Sequence, residues 1–178
     1  AANSDSLIVG KLFGASALGY YNKAYNLYSY PLSILAAPIT DTILPFLAPL
    51  QDNKPALCER FQNVFMKISF ISALCTAGMN VCAAEIILIM YGDNWAPAIP
   101  LLATLAFAVY SRGVNGAFSA LLNATGKPDL LMRSTAINTI ITLGLIFLGG
   151  ILGSMQSLAT CVSIAYNMEM ILPIYFCA

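Results

Sequence analysis

Long apolar stretches separated by short polar segments dominate this chain. The longest covers residues 134–168, 35 positions without a charged side chain. As a helix rising about 1.5 Å per residue it would measure roughly 50 Å, whereas the hydrocarbon core of a bilayer is about 30 Å thick. Residues 24–51, 68–92 and 94–126 repeat the pattern with one charged residue each. The pattern predicts an all-α, polytopic transmembrane helix bundle.

Turn-forming residues divide the chain into segments within a single transmembrane domain, residues 1–178. Residues 7–18 are apolar but too short to cross a bilayer, so we expect a truncated span there, with a turn between Gly14 and Gly19. We predict this truncated span and about four whole ones. The approximate bounds of the segments are 1–18 (partial), 21–47, 68–90, 98–123, 134–152 and 155–177. Pro31, Pro38 and Pro45 predict that segment 21–47 is bent.

Basic residues predict the orientation of the bundle. The segments at residues 50–67 and 125–133 carry Lys54, Arg60, Lys67, Lys127 and Arg133, whereas Lys11 and Lys23 fall towards the other side. Because cytoplasmic loops are enriched in lysine and arginine, we predict that both segments face the cytoplasm. Within the first, the stretch that starts at Pro55 is expected to form a short amphipathic helix at the membrane interface.

Composition excludes several classes of protein. Hydrophobic residues make up 59% of the chain and charged residues 9%, with a formal net charge of zero, which argues against binding to nucleic acid. Histidine is absent and the five cysteines form no CxxC pair. We therefore expect neither a metal site nor a cofactor.

Four motifs, in order, resemble those of bacterial polysaccharide exporters of the O-antigen and colanic-acid flippase type. They are DSLIVGKLFGASALGYYNKAYNL at residues 5–27, ILPFLAPLQD at 43–52, YGDNWAPA at 91–98 and LLNATGKPDL at 121–130. These exporters belong to the multidrug/oligosaccharidyl-lipid/polysaccharide transporter superfamily. Asp41 departs from the pattern, because the family often has a basic residue there.

The resemblance implies the C-terminal half of a two-lobed flippase in the bacterial inner membrane. Its expected activity is translocation of a lipid-linked oligosaccharide or polysaccharide precursor for capsule, exopolysaccharide or O-antigen synthesis. The expected partners are that substrate, the lipid bilayer and the missing N-terminal half. The alternatives are a cation-coupled small-molecule exporter of the same superfamily and a membrane module without transport. A membrane-embedded enzyme is disfavoured by the lack of histidine, of a clustered acid pair and of a long catalytic loop.

Arg112 is the foremost candidate for substrate binding. It falls about mid-way along an apolar segment, where a lone arginine costs about 2.5–3.5 kcal/mol. A guanidinium facing a cavity would bind the pyrophosphate of a lipid-linked sugar. The alternative is a structural ion pair with Glu169, which falls at a similar depth in its own segment. The two roles are compatible.

Four further residues are candidates for the translocation path, each with an alternative. Asn115 shares a helical face with Arg112 and suits either a sugar hydroxyl or a hydrogen bond between helices. Asp41 suits coupling to a proton or sodium ion, or snorkelling to the interface. Tyr25 belongs to a tyrosine stripe that either stacks on sugars or forms an interfacial aromatic belt. Asn26 flanks this stripe and is a weaker candidate.

Overall fold

The computed structural model describes residues 4–51, 53–151 and 153–171. Over these ranges the chain forms seven α-helices and no strand. They are α1 (Ser4–Pro31), α2 (Ala37–Leu47), α3 (Lys54–Val81), α4 (Ala83–Tyr91), α5 (Ile99–Ala124), α6 (Pro128–Ile151) and α7 (Met155–Met168). Three helical stretches are long and apolar enough to cross a membrane. They are Lys54–Val81 (α3), Asp93–Ala124 (α5 with the 3-10 turn that precedes it) and Pro128–Ile151 (α6). The prediction of an all-α membrane bundle is confirmed.

The first two helices differ from the predicted segments at residues 1–18 and 21–47. The turn expected between Gly14 and Gly19 is replaced by a kink at Gly14, where φ is 85° and ψ is 176°. Glycine adopts this conformation readily because it has no Cβ. This kink divides α1 into two helical parts, and the second part continues through residue 19. After Pro31, within the segment expected to bend, a π-helical turn, Leu32–Ala36, joins α1 to α2.

Helix α3 also differs from prediction, because the expected interfacial helix within residues 50–67 and the following apolar segment form one continuous helix. Asn53 caps its first turn, since the Asn53 side chain accepts a hydrogen bond of 3.3 Å from the Ala56 amide. No proline or glycine follows Pro55 until Gly78, so the backbone hydrogen bonds run on from the polar into the apolar part. The helix ends at Val81 and α4 follows directly after Cys82.

The turn between α5 and α6 follows the chemistry expected from its sequence. Gly126 has a φ of 68°, and the Lys127 amide donates to the Leu122 carbonyl at 3.0 Å, which closes the end of α5. Pro128 is the first residue of α6 and Asp129 lies in its first turn. Proline at a helix start and an acidic residue in the first turn are both favourable there.

Helix α5 occupies the centre of the bundle. It packs against α1, α2, α3 and α7, and α6 packs mainly against α7. Half of its residues are buried, many of them small. In contrast, large apolar side chains such as Phe70, Val81, Ile89 and Phe147 are exposed on the outside of the bundle. An exposed apolar surface of this kind is compatible with lipid and not with water.

Candidate functional site

Arg112 lies on α5 where this helix meets α1 and α7. Its guanidinium Nη1 donates a hydrogen bond of 3.2 Å to the hydroxyl of Tyr28 on α1. On the other side, its Cζ lies over the ring of Tyr166 on α7, 4.7 Å from the ring centroid. A cation over an aromatic face is attracted to the negative charge density of the ring. Three helices thus fix the position of one half-buried arginine.

The tyrosines around Arg112 are themselves in contact. The rings of Tyr28 and Tyr166 are stacked with centroids 6.4 Å apart, and Tyr25 meets Tyr28 edge-on at 4.9 Å. Tyr28 and Tyr166 are buried, whereas Tyr25 is half-buried. We call Arg112, Tyr25, Tyr28 and Tyr166 the arginine–tyrosine cluster. Its aromatic faces and hydroxyl groups are of the kind that bind sugar rings and phosphate oxygens.

Glu169 lies just after α7 and is held by α6. Its carboxylate accepts a hydrogen bond of 3.4 Å from the Thr142 hydroxyl, and its backbone carbonyl accepts one of 3.2 Å from the Asn138 side chain. Both α6 residues are buried polar groups. These bonds tie the end of α7 to α6 and satisfy polar groups that would be costly inside a membrane.

Arg112 and Glu169 lie near each other but do not form an ion pair. They are close enough to influence each other electrostatically. However, within the described part of the chain no carboxylate oxygen lies within the 4.0 Å of an ion pair from the Arg112 guanidinium. The donors of the guanidinium are therefore only partly used by Tyr28. An arginine in this situation favours an additional anion.

The other predicted residues are placed less centrally. Asn115 lies one turn after Arg112 on α5, half-buried, with no side-chain hydrogen bond to any described residue. Asn26 is exposed on α1 and does not join the cluster. Asp41 lies within α2, but its side chain is outside the described part of the structure. The transport roles of these residues stay predictions.

The tyrosine-rich second half of α1 contacts two different parts of the bundle. Tyr20 contacts Trp95 edge-on at 5.6 Å, and the Nζ of Lys23 lies 4.6 Å from the ring centroid of Tyr91. This group sits at the α4–α5 turn, as expected of an aromatic belt at a membrane surface. Tyr25 and Tyr28, one and two turns further along α1, enter the arginine–tyrosine cluster instead. The tyrosines of this part of α1 thus contact two separate groups of residues, and the sugar-stacking role of Tyr25 stays a prediction.

Sequence reasoning did not select Tyr166 or Thr142, although both contact the selected residues. Tyr166 falls three residues before Glu169 and therefore on the same helical face, which is a signal that was present in the sequence. Thr142 gave no such signal, because a threonine in an apolar helix ordinarily bonds to its own backbone. Only the packing of α6 on α7 brings it to Glu169.

The fold and this polar cluster together define a multi-pass helical membrane protein with a cationic, aromatic interior. The chain belongs to the polysaccharide biosynthesis protein family, whose profile matches residues 1–100. This confirms the resemblance seen in the sequence. Family membership and the bacterial relatives described next place the protein in the bacterial inner membrane.

Curated relatives match most of this chain at modest identity. An uncharacterized membrane protein in the cps region of Klebsiella pneumoniae is 27% identical over 95% of the chain and 35% of its own length. The lipopolysaccharide biosynthesis protein WzxC of Escherichia coli (strain K12) is 26% identical over 83% of the chain and 30% of its own length. The teichuronic acid biosynthesis protein TuaB of Bacillus subtilis (strain 168) is 28% identical over 72% of the chain and 27% of its own length.

The chain thus spans about a third of the length of these relatives. Among solved structures, no significant match was found.

Proposed function

We propose that this chain is one half of a flippase that moves a lipid-linked oligosaccharide or polysaccharide precursor across the bacterial inner membrane. The other half would be a second helical lobe of the same transporter. Relatives named for lipopolysaccharide and teichuronic acid biosynthesis support a polysaccharide precursor as substrate. The proposed chemistry is movement of the substrate, without making or breaking a bond.

The observation that carries this proposal is the half-buried Arg112 on an apolar helix, with no contact ion pair among the described residues. A buried cation without a counter-ion is costly in a membrane, so it is retained where an anion or water reaches it. A lipid-linked sugar carries its phosphate groups next to its sugar rings. The arginine–tyrosine cluster offers a cation and aromatic faces side by side, which matches both parts.

The experiment is complementation of polysaccharide export by the full-length transporter. Arg112→Ala is expected to abolish export while the protein remains in the membrane, and Arg112→Lys to restore only part of it, because lysine lacks the bidentate geometry. Tyr28→Phe, which keeps the ring and removes the hydroxyl acceptor, should lower export without lowering abundance.

The matched controls are Arg133→Ala, an exposed arginine at the start of α6, and Tyr30→Phe, an exposed tyrosine on α1. Both should support normal export. If Arg112→Ala exports as well as the wild type, the proposed substrate contact is wrong. If only Arg133→Ala fails, the charge that matters lies at the membrane surface.

A further inference from the structure

A second candidate site lies outside the bundle core, between α2 and α3. A groove of about 600 Å³ runs between these two helices. Its walls include Ile43, Phe46 and Leu47 from α2 and Arg60, Asn63 and Lys67 from α3. We call it the α2–α3 groove. The arginine–tyrosine cluster contributes no residue to it.

The groove combines an apolar floor with two exposed cations. Ile43 and Leu47 are buried and belong to the core, while Phe46 is 69% exposed and stands at the edge. Arg60 and Lys67 are exposed. No described carboxylate lines the groove or forms an ion pair with either of them. Its charge therefore complements an anion, and its floor complements a hydrocarbon chain.

Charge and apolarity follow one another along the groove as they do along a lipid molecule. Arg60 and Lys67 share a face of α3 and lie seven residues apart, about 10 Å along the axis. The apolar run of residues 68–92 starts directly after Lys67, and Ile71 lines the groove one turn further. The cations thus mark the level of the headgroups, and the apolar end of the groove extends into the hydrocarbon layer.

We propose that the α2–α3 groove binds an anionic glycerophospholipid, with its phosphate between Arg60 and Lys67 and an acyl chain along Ile43, Phe46 and Ile71. Basic pockets between transmembrane helices are the kind of site that binds anionic headgroups. The cations contribute specificity for charge, and the apolar walls contribute affinity for the chain. The site is independent of the proposed transport function.

The experiment measures binding of phosphatidylglycerol to the full-length protein in detergent, by native mass spectrometry of the bound lipid. The double variant Arg60→Gln/Lys67→Gln should bind it on the order of 30-fold more weakly, since each basic residue near a membrane surface contributes about five-fold. The control, Lys127→Gln/Arg133→Gln, also removes one lysine and one arginine, from exposed positions at the start of α6. It should bind within about two-fold of the wild type. Equal losses in both double variants, or a loss in neither, would overturn the proposal.

A second variant tests the groove itself without changing charge. Asn63→Trp places a large ring in the groove from an exposed position, so the fold should tolerate it. Binding of phosphatidylglycerol should be lost while helicity is kept. If Asn63→Trp binds the lipid like the wild type, the cations act as a general surface charge and no groove site exists.

Competition separates a phospholipid from other phosphate-bearing ligands. Neither inorganic phosphate nor a polyprenyl diphosphate should displace phosphatidylglycerol from the wild type at comparable concentration. Displacement by inorganic phosphate would reduce the groove to a simple anion site. Displacement by the polyprenyl diphosphate would assign the groove to the transported class of lipid. Each of these results would contradict the phospholipid proposal.

Discussion

At the residue scale, the contacts of Arg112 and Glu169 decide what each can do. Similar depth along two apolar segments suggested that the two side chains meet in an ion pair. In the structure, Arg112 binds a tyrosine hydroxyl and an aromatic face, and Glu169 accepts from a threonine. Their charges interact through space only. The guanidinium of Arg112 therefore keeps donors that no described carboxylate uses, whereas the Glu169 carboxylate has a hydrogen-bond partner.

This arrangement predicts which double-mutant cycle shows coupling. Glu169→Ala and Thr142→Val should be strongly non-additive in the thermal stability of the full-length protein, because the two side chains share a hydrogen bond. Glu169→Ala and Arg112→Ala should couple more weakly than this pair, since the two charges interact without forming an ion pair. Strong coupling in the second cycle, comparable with the first, would show a direct ion pair instead.

At the scale of helices, glycines set how closely neighbours approach. Gly149 lies where α6 meets α7. A Cβ added there would come within 2.9 Å of the Leu158 Cα and 3.1 Å of the Cys161 Cβ. The Leu158 Cα is a backbone atom and cannot move aside as the end of a flexible side chain can. Small residues of this kind are typical of helix contacts inside membranes, where close packing replaces the hydrophobic effect as the driving force.

Gly149→Ala should therefore force α6 and α7 apart and lower the free energy of unfolding by about 1–3 kcal/mol, the usual cost of overpacking. The matched control is Gly144→Ala on the same helix, where an added Cβ would meet no atom within 4 Å. That change should be neutral or stabilise by up to about 1 kcal/mol, because alanine is the better helix former. Thermal unfolding in detergent measures both. Equal changes in stability for Gly149→Ala and Gly144→Ala would mean that α6 and α7 pack less closely than the structure indicates.

At the scale of the whole molecule, the orientation in the membrane stays a prediction from the distribution of basic residues. The α4–α5 turn and the α5–α6 turn lie at opposite ends of α5. With 26 residues, this helix is about 39 Å long, so the two turns fall on opposite sides of a bilayer. Asn94 and Asp129 are exposed residues next to these two turns.

Cysteine labelling in intact cells tests this orientation in a variant from which the five native cysteines have been removed. Asn94→Cys should react with a membrane-impermeant reagent, and Asp129→Cys should react only after the membrane is opened. Protection of the first and labelling of the second would reverse the topology. In that case the α2–α3 groove would lie on the outer side of the membrane.

Much of the architecture was determined by the sequence alone. Apolar runs long enough to cross a bilayer predict helices, because a membrane leaves backbone polar groups no partner except one another. Gly126 and Pro128 predicted the α5–α6 turn, since each suits a single backbone geometry. The break predicted between Gly14 and Gly19 is present as a kink at Gly14, after which the helix resumes. The separate interfacial helix predicted before residue 68 is absent, because no residue there prevents the backbone hydrogen bonds of α3 from continuing.

The tertiary structure alone decided which polar side chains meet. Periodicity places Arg112, Tyr25 and Glu169 on faces of separate helices, but it does not specify which faces pack together. The crossing of α1, α5 and α7 selected Tyr28 and Tyr166 as the partners of Arg112, and the contact of α6 with α7 selected Thr142 for Glu169. A pattern along one helix records its own exposed and buried faces. The partner across the interface depends on the angle and distance between two helices, which no single segment encodes.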